Sequence, residues 1–79
     1  MLENIVSVFE KNGLSASLNG NVISIKPSAM SPVHAATLTT NAFSAIKNEL
    51  PEVDINASSY TSYAIKYNKK GIGTIVINF

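Results

Sequence analysis

Seventy-nine residues without a cysteine make one domain with no disulfide framework and no thiolate zinc site, so a single hydrophobic core has to hold the chain together. Hydrophobic residues make up 46% of the chain and charged ones 14%, well under the rough quarter usual in soluble domains, and the net charge is +1. All six basic residues are lysines, so the chain has neither a strong field for nucleic acid or an anionic membrane nor the bidentate arginine that reads guanine and phosphate.

Met1 to Asn4 shows no basic segment leading into a long apolar run, and nothing further on is apolar for long enough to span a bilayer. The expectation is a soluble, unprocessed, cytoplasmic protein with no membrane partner. Leu2, Ile5, Val6 and Phe9 recur at helical spacing, with Val8 at the edge of their stripe, and predict a first helix from Leu2 to about Asn12. Gly13 stands where a left-handed residue would cap it.

Leu14 to Leu18 and Val22 to Lys26 alternate as strands around Asn19-Gly20, a strong signal for a two-residue type I′ turn. That turn sets Leu14 opposite Ile25 and Ala16 opposite Ile23, with Ser15, Ser17, Val22, Ser24 and Lys26 on the other face. Pro27-Ser28-Ala29-Met30 breaks the strand, and Ser31-Pro32 reads as a cap and first residue of a second helix that continues to about Leu50 before Pro51. Val33, Ala36, Phe43, Ile46 and Leu50 form its expected main buried stripe. Ala35, Leu38, Ala42 and Ala45 form a shallower one beside it.

Val53, Ile55 and Ala57 alternate with Asp54, Asn56 and Ser58 as a third strand, which a turn around Ser58 to Tyr60 joins to the fourth. In the closing stretch Tyr63, Ile65 and Tyr67 alternate with Ser62, Ala64 and Lys66, while Ile75, Ile77 and Phe79 alternate with Thr74, Val76 and Asn78. A three-residue loop of Lys69, Lys70 and a left-handed Gly71 would set Asn68 opposite Ile72, Ile65 opposite Ile75, Tyr63 opposite Ile77 and Thr61 opposite Phe79. Each strand thus has one apolar and one short, polar face, the pattern of a sheet covered on one side. The predicted fold is a two-layer α+β domain spanning residues 1–79, a mostly antiparallel five-stranded sheet with two helices on one face, in the order α-ββ-α-βββ.

Chemistry-bearing residues are sparse. His34 is the only histidine, in the first turn of the second helix with Ser28 and Ser31 near in sequence; with no oriented acid partner it reads as a surface or capping residue. Glu49, Glu52 and Asp54 cluster around the end of that helix, as a solvated helix end does. Gly71-Ile72-Gly73 lacks the full spacing and the following helix of a phosphate loop. No catalytic residue, metal site or cofactor is expected.

Two surfaces remain. The bare sheet face, with Ser62, Ala64, Lys66, Thr74, Val76 and Asn78 at its centre and Ser15, Ser17, Ser24, Asn56 and Ser58 around them, carries few charges to keep other molecules away. It points to a small non-enzymatic interaction module that binds another protein or a second copy of itself, in the manner of an inhibitor or homodimeric adaptor of viral or mobile-element type. The alternative is a weak nucleic-acid binder built on Lys66, Lys69 and Lys70 with Tyr60 and Tyr67 as stacking partners. Salt separates the two, since phosphate contacts weaken steeply with it.

Overall fold

The computed structural model describes residues 1–27 and 31–78. Ser28, Ala29 and Met30, in the expected break before the second helix, and Phe79, the expected last inward residue, lie outside the described residues. Two helices and five strands follow one another in the predicted order: α1 Leu2–Lys11, β1 Ser15–Asn19, β2 Val22–Lys26, α2 Pro32–Glu49, β3 Val53–Ala57, β4 Ser62–Tyr67 and β5 Lys70–Ile77.

Helix α1 buries Ile5, Val8 and Phe9. At its end Gly13 takes φ +86°, its N–H donates to the Glu10 carbonyl at 3.1 Å, and the Leu14 N–H donates to the Phe9 carbonyl at 3.1 Å. This is a complete Schellman cap, which satisfies two orphan carbonyls and turns the chain directly into β1.

The first hairpin departs from the expected register. Asn19 pairs with Val22, Leu18 with Ile23 and Ala16 with Ile25, so the loop is Gly20-Asn21 and not Asn19-Gly20. Gly20 has φ +63° while Asn21 stays at negative φ, the type II′ pattern with glycine at the first central position. The shift is two residues, so the faces are unchanged. It exchanges one apolar cross-strand pair for another: Leu18 meets Ile23 where the other register would have given it Asn21, and Leu14 leaves the ladder where it would have met Ile25.

Ser31 caps α2 as predicted, its Oγ accepting from the His34 N–H at 3.2 Å, with Pro32 in the first turn. The buried stripe is Ala35, Thr39, Ala42 and Ile46. The expected ranking is therefore only partly right: Ile46 of the main stripe is buried, but Val33 is 78% exposed and Ala36 exposed, Phe43 and Leu50 are half-buried, and Ala35 and Ala42 of the shallower stripe are buried while Leu38 and Ala45 are half-buried. Small residues let α2 settle close to its neighbours, and Thr39 is tolerated there because its Oγ1 donates to the Ala35 carbonyl at 2.8 Å.

The second hairpin is also corrected. Tyr67 pairs with Lys70 around a two-residue Asn68-Lys69 loop, and both loop residues have positive φ, +49° and +69°. That is a type I′ turn, and Gly71 is not left-handed. Beyond it the pairing shifts between Ile65 and Lys66, so that Lys66 faces Gly71, Ile65 faces Gly73, Tyr63 faces Ile75 and Ser62 faces Val76. The extra residue of the bulge, Ile72, falls between two glycines, where the strand bends with least crowding.

The sheet runs β1-β2-β5-β4-β3, antiparallel except where β2 and β5 pair in parallel. Ile5, Val8 and Phe9 of α1, Ala42 and Ile46 of α2, and Ile23, Ile25, Val53, Ile65, Ile75 and Ile77 of the sheet belong to one core. Both helices therefore cover the same face. Phe43 joins the layers through edge-on contacts with Phe9 and Tyr63, at centroid distances of 5.9 and 4.9 Å.

Candidate docking face of the sheet

The face turned away from the helices is ordered by the strand pairings. Ser17, Ser24, Val76 and Ser62 follow one another across four strands. Next to them Asn19, Val22, Thr74, Ala64 and Asn56 run across all five. Neither row contains a charge. Charged side chains stand only at the margins, Lys26 in the register of Ser15 at one end and Lys66 opposite Asp54 at the other. Val22, Ala64, Thr74 and Val76 are half-buried by their neighbours, so the centre is smooth and moderately apolar.

Of the residues singled out from the sequence, Ser62 and Val76 are directly opposed, as are Ala64 and Thr74. Asn78 follows β5 and ties the strand to β2, its N–H donating to the Ile25 carbonyl at 2.8 Å. Lys66 lies past the bulge, toward the basic hairpin. The partners within the face differ from those expected, because the hairpin slipped by two, but its membership is the same. Val22 and Asn19 complete the neutral rows.

The basic and aromatic cluster does not come together. Lys66, Lys69 and Lys70 are exposed around the Asn68-Lys69 turn, but Tyr67 packs toward the core, and Tyr60, 98% exposed, is in the β3–β4 connection at the opposite end of β4. Six residues of extended strand, about 17–20 Å, separate the two ends, too far for one base to stack on Tyr60 while its own phosphate meets the lysines. His34 is exposed, its backbone serving the Ser31 cap. Ser28 lies outside the described residues. Glu49, Glu52 and Asp54 do not converge, and among the described residues no three His, Cys, Asp or Glu side chains are close enough to share a cation.

Among the described residues no helix is long and apolar enough to cross a membrane. The class defined so far is a two-layer α+β domain with one bare sheet face. No family model, no curated protein and no solved structure matches this chain.

Proposed function

We propose that this protein is a non-enzymatic interaction module that docks another protein on the helix-free face of its sheet. The observation that carries the reading is the pair of uncharged rows across the sheet, with Val22, Ala64, Thr74 and Val76 at their centre. A sheet face meant only for water is usually studded with long charged side chains, which block approach and resist pairing. Here the side chains are short and neutral, and a partner that covers them has no charge to desolvate, only hydroxyls and amides to meet with hydrogen bonds.

The test compares capture of a partner from cell extract by the wild type, by Val76→Lys and Ala64→Lys, and by a Lys69→Glu/Lys70→Glu double variant, each checked for folding by circular dichroism. The face variants lose the captured protein because each places a charge in the contact, the hairpin variant keeps it, and binding changes little between low and moderate salt. Retention by both face variants overturns the proposal. Steep salt dependence together with loss in the lysine-to-glutamate variant would transfer the function to the basic hairpin and to an anionic partner.

A further inference from the structure

The helix-free face is small for the task. Five strands at a spacing of about 4.8 Å, with about 3.3 Å per residue along each, give a projected area of roughly 400 Å². A specific protein interface takes about 800 Å² of accessible surface from each partner, more than so small a footprint of short side chains supplies. The edges of the sheet decide whether this surface can grow.

Hydrogen bonding identifies the open backbone groups. On β2 the carbonyls of Asn21 and Ile25 accept from Thr74 and Asn78, so Asn21, Ile23 and Ile25 point to β5 and Val22, Ser24 and Lys26 to β1. Their β1 partners Asn19, Ser17 and Ser15 consequently face inward, and the N–H and C=O groups of Ala16 and Leu18 face the edge, where no strand among the described residues pairs with them. On β3 the Glu52 carbonyl accepts from Asn68 and the Ser58 N–H donates to Ser62, which leaves Ile55 and Ala57 facing outward. That second edge is guarded, because Asp54 stands on it and the Val53 N–H is already taken by the Leu50 carbonyl at 3.0 Å. Strand β1, Ser-Ala-Ser-Leu-Asn, contains no charge, no proline and no bulge.

We propose that two copies of this chain join through β1, antiparallel across a two-fold axis at Ser17, to form one continuous ten-stranded sheet. The sequence of β1 suits that symmetry. With Ser17 on the axis, Ala16 lies opposite Leu18 of the second copy and Leu18 opposite its Ala16. Each pair exchanges both backbone bonds, and these are the residues whose groups are open. On the helix side the half-buried Leu18 is covered by Ala16 of the second copy. On the bare side Ser15 meets Asn19, and no like charges oppose one another. The joined face has twice the projected area of one copy, roughly 800 Å². The inference rests on the helix-free face being the docking surface, and it assigns the second copy to the edge and the other protein to the face.

Ser17 would form a non-hydrogen-bonded pair with its own counterpart, with Cα atoms about 4.5 Å apart, which suits a disulfide. The chain contains no cysteine, so Ser17→Cys introduces a unique thiol. Under mild oxidation it forms a covalent dimer much faster than Asn48→Cys, whose exposed site lies on α2. Sedimentation equilibrium supplies the second measurement: the wild type associates with concentration, Ser17→Lys and Ser17→Glu are each monomeric, and their equimolar mixture forms a dimer again. A wild type that stays monomeric at its highest soluble concentration overturns the proposal, as do equal cross-linking rates or lysine and glutamate variants that dimerise alone. Val76→Lys separates the two proposals. It keeps the dimer if copies meet at β1 and loses it if they meet face to face, whereas loss of the captured protein from Val76→Lys in a strictly monomeric chain upholds the docking face and removes the edge pairing.

Discussion

Gly73 lies directly beneath the carbonyl of Asn21: a β-carbon at position 73 would run into that oxygen and press on Leu2 Cδ2 at 3.3 Å, while the next residue, Thr74, donates its N–H to the same carbonyl at 2.9 Å. The contact fastens the β1–β2 turn onto β5. Gly73→Ala should therefore destabilise the domain by about 2–3 kcal/mol, through the backbone shift that overpacking forces. Gly71, with nothing within 4 Å of a β-carbon and no positive φ, should accept alanine within about 0.5 kcal/mol. Equal midpoints for the two alanine variants in a urea titration would contradict this.

Lys69 occupies a left-handed conformation, at φ +69°, that an L side chain adopts at an energetic cost. Lys69→Gly creates the Asn-Gly pair that type I′ turns favour and should raise stability by about 0.5–1 kcal/mol, whereas Lys70→Gly, on the first residue of β5, should lower it. Thermal unfolding of the two variants side by side decides the turn type.

On α2, Ala42 is fully buried and Ala36 exposed. Ala42→Leu should cost about 1–3 kcal/mol by forcing the helix off the sheet, and Ala36→Leu should change stability by less than about 0.5 kcal/mol. If the costs were reversed in chemical denaturation, the helix would be rotated from the orientation described.

Ser31→Ala removes the side-chain acceptor for the His34 N–H and should cost about 1 kcal/mol. His34→Ala keeps that bond, because the donor is the backbone, and should leave both stability and partner capture at wild-type levels. A large loss of capture by a folded His34→Ala variant would place the function at the start of α2.

The faces of every strand were legible in the sequence because side-chain direction repeats every two residues, and the register slipped by two in the first hairpin and, beyond the bulge, in the second, which such a pattern does not detect; beside the second turn the slip is three, and the bulged Ile72 takes up the odd residue. Asn19-Gly20 and Gly20-Asn21 place the same side chains on the same faces. Each register has two apolar cross-strand pairs, so the choice between them falls to backbone angles, with Gly20 alone of the three at positive φ. Nothing in Asn68-Lys69 announces positive φ at a lysine, and Gly71 suggested a turn while it flanks a bulge and Gly73 serves a close approach. In α2, Ala35 and Ala36 are a hundred degrees apart on the helix yet alike in hydrophobicity, so the burial of one over the other depends on packing alone. Membership of the bare face, being a matter of parity, survived these slips. The meeting of Lys66, Lys69 and Lys70 with Tyr60, a matter of distance along β4, did not.

The parallel seam between β2 and β5 joins segments separated by most of the chain, Val22 with Thr74 and Ile25 with Ile77. Strand β5 follows β2 and β4 in the chain yet lies between them in the sheet, so both of their inner edges are satisfied only by the last strand. Closing so distant a pair is slow compared with forming a hairpin. Strand β5 reaches β4 through the two-residue Asn68-Lys69 turn, so the β2–β5 seam is the one join on which the β1–β2 hairpin and the other three strands become a single sheet.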